Sequence, residues 1–184
     1  MELKHKLLDH PFYQAWTMGD ITMDQLSVYH KSYADFIELM PVYWNKINEA
    51  FGAKGDLAEK IVNEEFEHIA LWHKWSDRLP VANEYPKMSD IISALDEMTP
   101  SELLGAVQAF EIQQPGVAET KKDGLLKHYG FTNEETIYFD EHMEEEHHIN
   151  YGNKIREMAV EAEYRSGFDK GAELFYNGLN KFMN

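Results

Sequence analysis

The residues of this chain best suited to chemistry stand together in FDEHMEEEHHIN, residues 139–150, where His142, His147 and His148 flank Glu144, Glu145 and Glu146. A helix turns about 100° per residue, so His142, Glu145, Glu146 and Ile149 share a face, with His148 one residue to its side. Imidazoles and carboxylates three or four positions apart can reach one ion. A mixed nitrogen and oxygen set suits iron or manganese better than structural zinc. An acidic run is also what a solvated helix face looks like, so metal chemistry needs further ligands from elsewhere in the chain.

Two distant segments offer them. NEEFEH, residues 63–68, places Glu64 and His68 at i and i+4 on one helix face. Glu111, in AVQAFEIQQP, follows Ala106, Val107, Ala109 and Phe110, where an unpaired carboxylate is costly to bury and requires a metal or an Arg or Lys partner. Glu64, His68, Glu111, His142, Glu145 or Glu146, and His148 then make three carboxylates and three imidazoles, enough for a pair of octahedral ions with positions open to oxygen. A ferritin-like set would instead pair Glu65-x-x-His68 with Glu144-x-x-His147 or Glu145-x-x-His148. The proline-interrupted segments do not match a ferritin bundle, and no His-Glu-x-x-His of the zincins occurs.

The elements that must hold these residues all read as helices. A first helix enters at 9–11, with Pro11 in its first turn, and breaks at Gly19-Asp20. From Thr22, the spacing of Leu26, Tyr29, Tyr33, Phe36, Ile37 and Met40 predicts one helix to about Ala50, kinked at Pro41. Others follow at 56–79, stopped by Pro80, at 88–95, from Thr99 to Pro115, and over 117–129 up to Gly130. One long helix, capped by Thr132 or Asn133, carries the opening motif to about Tyr164, and Gly167 separates it from a last helix at 168–182. Nothing alternates with period two, so the fold class is all-α, about seven or eight helices in one domain, 1–184.

Composition narrows the function. The formal net charge of −16 opposes binding to nucleic acid or to an anionic membrane surface. No apolar run approaches the roughly 20 residues of a membrane span, and the first ten residues lack a signal peptide's apolar stretch, so a cytoplasmic protein is expected. The absence of cysteine removes disulfides, thiolate zinc sites and a cysteine nucleophile together. Exposed helix faces permit a homodimer without demanding one.

DHPFYQAW, GDITMDQLSVYHKSYADFIELMPVYW, NEEFEHIALWHKW, AFEIQQPGVAETKKDGLLKHYGF and YFDEHMEEEHH, in this order, resemble the haem-oxygenase-like diiron oxidases, which share their fold with the TenA and PqqC groups. Within them the likeness is to the CADD group, the chlamydial proteins associating with death domains, and its bacterial relatives, which make p-aminobenzoate. It spans roughly residues 7–160. The resemblance implies two metal ions (Fe with Fe or Mn), molecular oxygen as co-substrate and an external reductant. It carries the ligand roles onto Glu64 and His68, Glu111, and His142, an acid and His148, although both outer spacings are shorter here than in the family. The acid is Glu146 by resemblance and Glu145 by helical geometry. The resemblance also implies a self-derived substrate, with Tyr13 giving the aromatic ring and Lys121 the amino group, while Tyr29, Tyr33 and Tyr138 line the site and Phe110 stands where the family has Tyr. Asp140, Tyr138, His147 and Asn150 are then candidates to orient the ligands. Two other functions fit the same residues: a diiron oxygenase acting on a separate small molecule, a fatty acid or an amine, and a metal-free binding protein of the same fold.

Overall fold

The computed structural model describes residues 1–144 and 146–183, and Glu145 lies outside them. The described residues form ten α-helices and three short 3-10 turns, with no strand. The helices are α1 (Pro11–Met18), α2 (Met23–Ile37), α3 (Met40–Phe51), α4 (Asp56–Lys74), α5 (Ser89–Asp96), α6 (Pro100–Glu111), α7 (Gln114–His128), α8 (Ile137–Met143), α9 (Glu146–Arg156) and α10 (Glu161–Gly178). The all-α reading stands, and there are ten segments because two stretches predicted as continuous are each interrupted.

The first interruption is proline chemistry. Pro41 has no N–H to give the carbonyl of residue 37, and its ring crowds that carbonyl. α2 accordingly ends at Ile37, and Pro41 sits in the first turn of α3, where a missing donor costs nothing. A full break thus replaces the predicted kink. Pro115 does the same to the carbonyl of residue 111, so α6 ends on Glu111 and α7 starts with Pro115 in its first turn. The proline fixes the place along the chain at which that carboxylate is presented.

The second interruption follows Met143. Glu144 caps α8 near φ −105° and ψ 7°, and α9 begins at Glu146. An acid at the end of one helix opposes the helix dipole, whereas the break puts Glu146 in a first turn, where negative charge is favourable. His142 and His148 therefore belong to two helices rather than to one face of one helix.

α6 is the central helix. Every residue from Leu103 to Glu111 is buried, as its all-round apolar sequence requires. α10 packs along it more extensively than any other pair of elements. The approach is close because small residues face each other. A Cβ on Gly167 would lie 1.9 Å from the Glu102 carbonyl oxygen, one on Gly105 2.1 Å from the Tyr164 oxygen, and one on Gly171 2.6 Å from the Ala106 Cα. Gly167 is thus a contact within α10 and not the predicted helix break, which falls earlier, before Glu161. Because Gly167 meets backbone that cannot swing aside, Gly167→Ala should destabilise the protein by at least about 3 kcal/mol, the upper end of overpacking costs, and lower the midpoint of urea unfolding.

The other side of α6 faces α3, α9 and α7, and α4 packs on α3 and α8. All four tryptophans are buried in the core between these helices. None of the helices is long and apolar enough to cross a membrane.

Candidate metal centre

On α4 the buried positions are Ala58, Ile61, Val62, Glu65, His68 and Trp72, a stripe with three and four residue steps. Glu65 lies on this stripe and is 4% exposed, and Glu64, one step round the helix, does not. The structure brings Glu65 to Glu111 and His148, with one ligand atom of each inside a 4.8 Å group, while the predicted Glu64 meets His148 from the other side in a second such group with His147. Glu111 is 3% and His148 0% exposed. His148 Nδ1 is 3.3 Å and His68 Nδ1 3.7 Å from the Glu65 carboxylate. The rings of His68 and His142 are 4.4 Å apart. Glu146 is exposed in the first turn of α9 and is not among these donors. The choice of Glu145 lies outside the described residues.

Two carboxylates this close cannot both hold a full charge without a cation. Burial and then the Glu65 charge push the Glu111 carboxyl well above its usual range. Burial acts on Glu65 in the same direction, but the His148 and His68 imidazoles beside it outweigh burial and hold its carboxyl below the usual range. The Trp44 indole N–H, 3.3 Å from Glu111 Oε1, orients the second carboxylate. His142 Nδ1 is 2.7 Å from the Tyr138 carbonyl, so it donates there and its lone pair stays on Nε2. Burial, with His68 beside it, lowers His142 to about 3, which keeps that imidazole neutral. A buried set of carboxylates and imidazoles has the chemistry of a divalent metal site.

The residues proposed to orient the ligands divide. Tyr138 does so through its carbonyl, and His147 meets Glu64 at 2.8 Å. Asp140 is paired with Lys122, and Asn150 is exposed.

A chain of rings leads inward from the donors. Tyr138 is 4.0 Å from His142 and 4.9 Å from Trp72, and Trp72 is 5.8 Å from Tyr33. Tyr33 stacks on Tyr29 at 5.0 Å, and the Tyr29 hydroxyl is 3.1 Å from that of Tyr13. Lys121 closes the cluster from α7. Its Nζ lies 5.6, 5.3, 5.1, 5.7 and 5.9 Å from the ring centroids of Tyr13, Tyr29, Tyr33, Trp72 and Phe139. The lysine is 2% exposed. Phe110 packs at the edge, 6.4 Å from Tyr33.

No family model matches the chain. A 4-aminobenzoate synthase of Chlamydia muridarum is 31% identical to it, over 77% of this chain and 67% of that protein. The chain belongs to the 4-aminobenzoate synthase family. The family's member in Chlamydia trachomatis is 27% identical over 98% of this chain and 87% of its own. The crystal structure of a TenA homolog from Pseudomonas syringae has the same haem-oxygenase-like fold, with a TM-score of 0.73 at 17% identity over 96% of this chain and 86% of that one.

For this 4-aminobenzoate synthase relative, the buried lysine yields a pH test. Burial lowers the Lys121 ammonium from 10.5 to about 7. The folded state then binds fewer protons than the unfolded chain between those values, so Lys121 costs stability increasingly as pH falls through the window. Lys121→Met should therefore stabilise the fold by about 1–4 kcal/mol near neutral pH, with the gain shrinking toward zero above pH 10.5. Urea unfolding of both proteins across this range measures it.

Proposed function

We propose that the chain is an oxygen-dependent, dinuclear-metal oxidase that forms 4-aminobenzoate from its own Tyr13, with Lys121 supplying nitrogen. The observation that carries this reading is the shared chamber: a buried amine and a buried phenol 5.6 Å apart, joined by contacting rings to a cluster of metal-capable donors. The names of the relatives, 4-aminobenzoate synthase, support the product.

Glu65, Glu111 and His148, with His68 and His142, are the residues that would hold the ions. When bound, an Fe/Fe or Fe/Mn pair would supply oxygen-activating redox chemistry, renewed by an external reductant. Burial raises the Tyr13 and Tyr29 phenols far above their ordinary values, so neither ionises on its own at neutral pH. Oxidation of Tyr13 must then be accompanied by movement of its proton, and the Tyr29 hydroxyl at 3.1 Å can relay it by passing on its own proton in the same step. Lys121, held near 7, presents a large share of neutral amine, the nucleophilic form. The Cα–Cβ bond of Tyr13 breaks and the β carbon ends as the carboxylate. The Lys121 nitrogen takes the place of the phenolic oxygen, which leaves as water; the Nζ–Cε bond breaks with Cε oxidised to an aldehyde, and molecular oxygen is the electron acceptor. The surrounding rings of Trp72, Tyr33 and Phe139 exclude water from these steps.

Purified protein reconstituted with iron, or iron and manganese, and incubated aerobically with reductant and no added substrate should release 4-aminobenzoate, up to one per chain. Release that requires an added aromatic or other small molecule would sink the self-derived substrate.

A further inference from the structure

We propose that Glu64 and His147, in front of the buried His148, form a separate outer site for a divalent first-row metal cation, from which the interior donors are filled. The inference rests on reading Glu65, Glu111 and His148 as a metal centre. Glu64 was a predicted ligand of that centre, and its position assigns it another task. Glu64 Oε2 lies 2.8 Å from His147 Nε2 and 3.3 Å from His148 Nε2. These donors form a group within 4.8 Å, distinct from the buried one and sharing one imidazole with it. One carboxylate and two imidazoles suit the same Fe or Mn class of ion.

Access distinguishes the two groups. The side chains of His147 and Glu64 are 38% and 25% exposed, and that of His148 is 0%. Glu64 and His147 line a hollow of about 300 Å³ whose wall also includes Glu67, His68, Glu141 and Glu144. Six waters around an ion take roughly 180 Å³ at about 30 Å³ each, so a hydrated cation fits. Four carboxylates around such a hollow concentrate cations from solution. Lys60, exposed on the same helix, sits 3.3 Å from Glu64 Oε1 and is displaced at little cost.

The path inward is short. His68 belongs to the buried donors and also forms part of the hollow's wall. His148 turns Nε2 to Glu64 and Nδ1 to Glu65, 3.3 Å from each carboxylate. The outer and inner carboxylates thus stand on either side of one imidazole. This arrangement lets the ion lose its water in steps instead of all at once.

The test uses Mn2+ added to metal-free full-length protein, with free Mn2+ followed by its electron paramagnetic resonance signal and retained metal by elemental analysis after desalting. Wild type should take up two tightly held ions and one that desalting removes. Glu64→Gln combined with His147→Gln should still hold the two tight ions at equilibrium, fill them about tenfold more slowly, and lack the removable one. Circular dichroism checks that the variant is folded, and Glu64→Gln alone, with a change of one atom, serves if it is not. Loading at the wild-type rate with unchanged stoichiometry overturns the proposal, as does loss of a tight ion, which would make Glu64 a ligand of the buried pair. Wild type that binds no Mn2+ overturns the buried centre and the outer site together, an outcome distinct from the other two.

Discussion

Tyr13→Phe should reduce 4-aminobenzoate formation to background while leaving a folded, metal-binding protein. The substitution keeps the ring that packs on Phe12 and Trp16 at 5.6 and 6.4 Å, and removes the hydroxyl that meets Tyr29. Losing one hydrogen bond costs about 1 kcal/mol, too little to unfold the domain. A loss of product with metal content preserved therefore reports on the phenol itself. Protein grown with ring-labelled tyrosine should release labelled product, and the spent chain should show its mass change in the peptide containing residue 13. Labelled product from the Phe variant would dismiss Tyr13 as the source.

Glu65→Gln has the next largest expected effect. It exchanges a charged ligand for a neutral amide of the same shape. Groups that merely orient metal ligands are worth about 10–100-fold in affinity, so loss of a ligand should cost more than about a hundredfold. Iron or manganese retained after desalting should fall from two ions per chain to one or none, and 4-aminobenzoate formation should fall with it. The neighbouring Glu64→Gln should retain both tight ions. The contrast separates two adjacent glutamates that differ by 100° of helix rotation. Equal metal loss in both variants would show that burial on α4 does not distinguish ligands there.

Most of the fold was legible from spacing. Helical periodicity, the Thr22 and Thr99 capping boxes, and the proline positions mark out nearly every element. Where the structure departs from the spacing, the causes are physical. Pro41 predicts a kink, but two residues of turn suffice to start a new helix around it. The break after Met143 has neither glycine nor proline to announce it. Gly167 reads as a breaker locally and proves to be a close approach to α6, a contact 65 residues away in the chain.

At the site, the sequence offers Glu65 only through the Glu65-x-x-His68 alternative, and a second signal favours it. Ile61, Glu65, His68 and Trp72 follow the α4 core periodicity, and a carboxylate on an apolar stripe is the same signal that singled out Glu111. The i, i+4 match of Glu64 with His68 points to the more exposed of the two glutamates, the one that meets His147 and His148. Lys121 beside Lys122 reads as surface, yet the two diverge, Lys121 into the aromatic cluster and Lys122 to Asp140. Tertiary packing decides between them, and no local pattern encodes it.

The burial of Tyr13 means that the proposed reaction damages the protein that performs it. Phe12, Trp16, Tyr29 and Lys121 all rest against this side chain. Removing a ring of that size from a packed interior costs about 3–5 kcal/mol, a large part of a typical folding free energy. Each molecule would thus behave as a reagent consumed with its product, and a used chain, hollowed at the start of α1, becomes the form most readily opened and degraded.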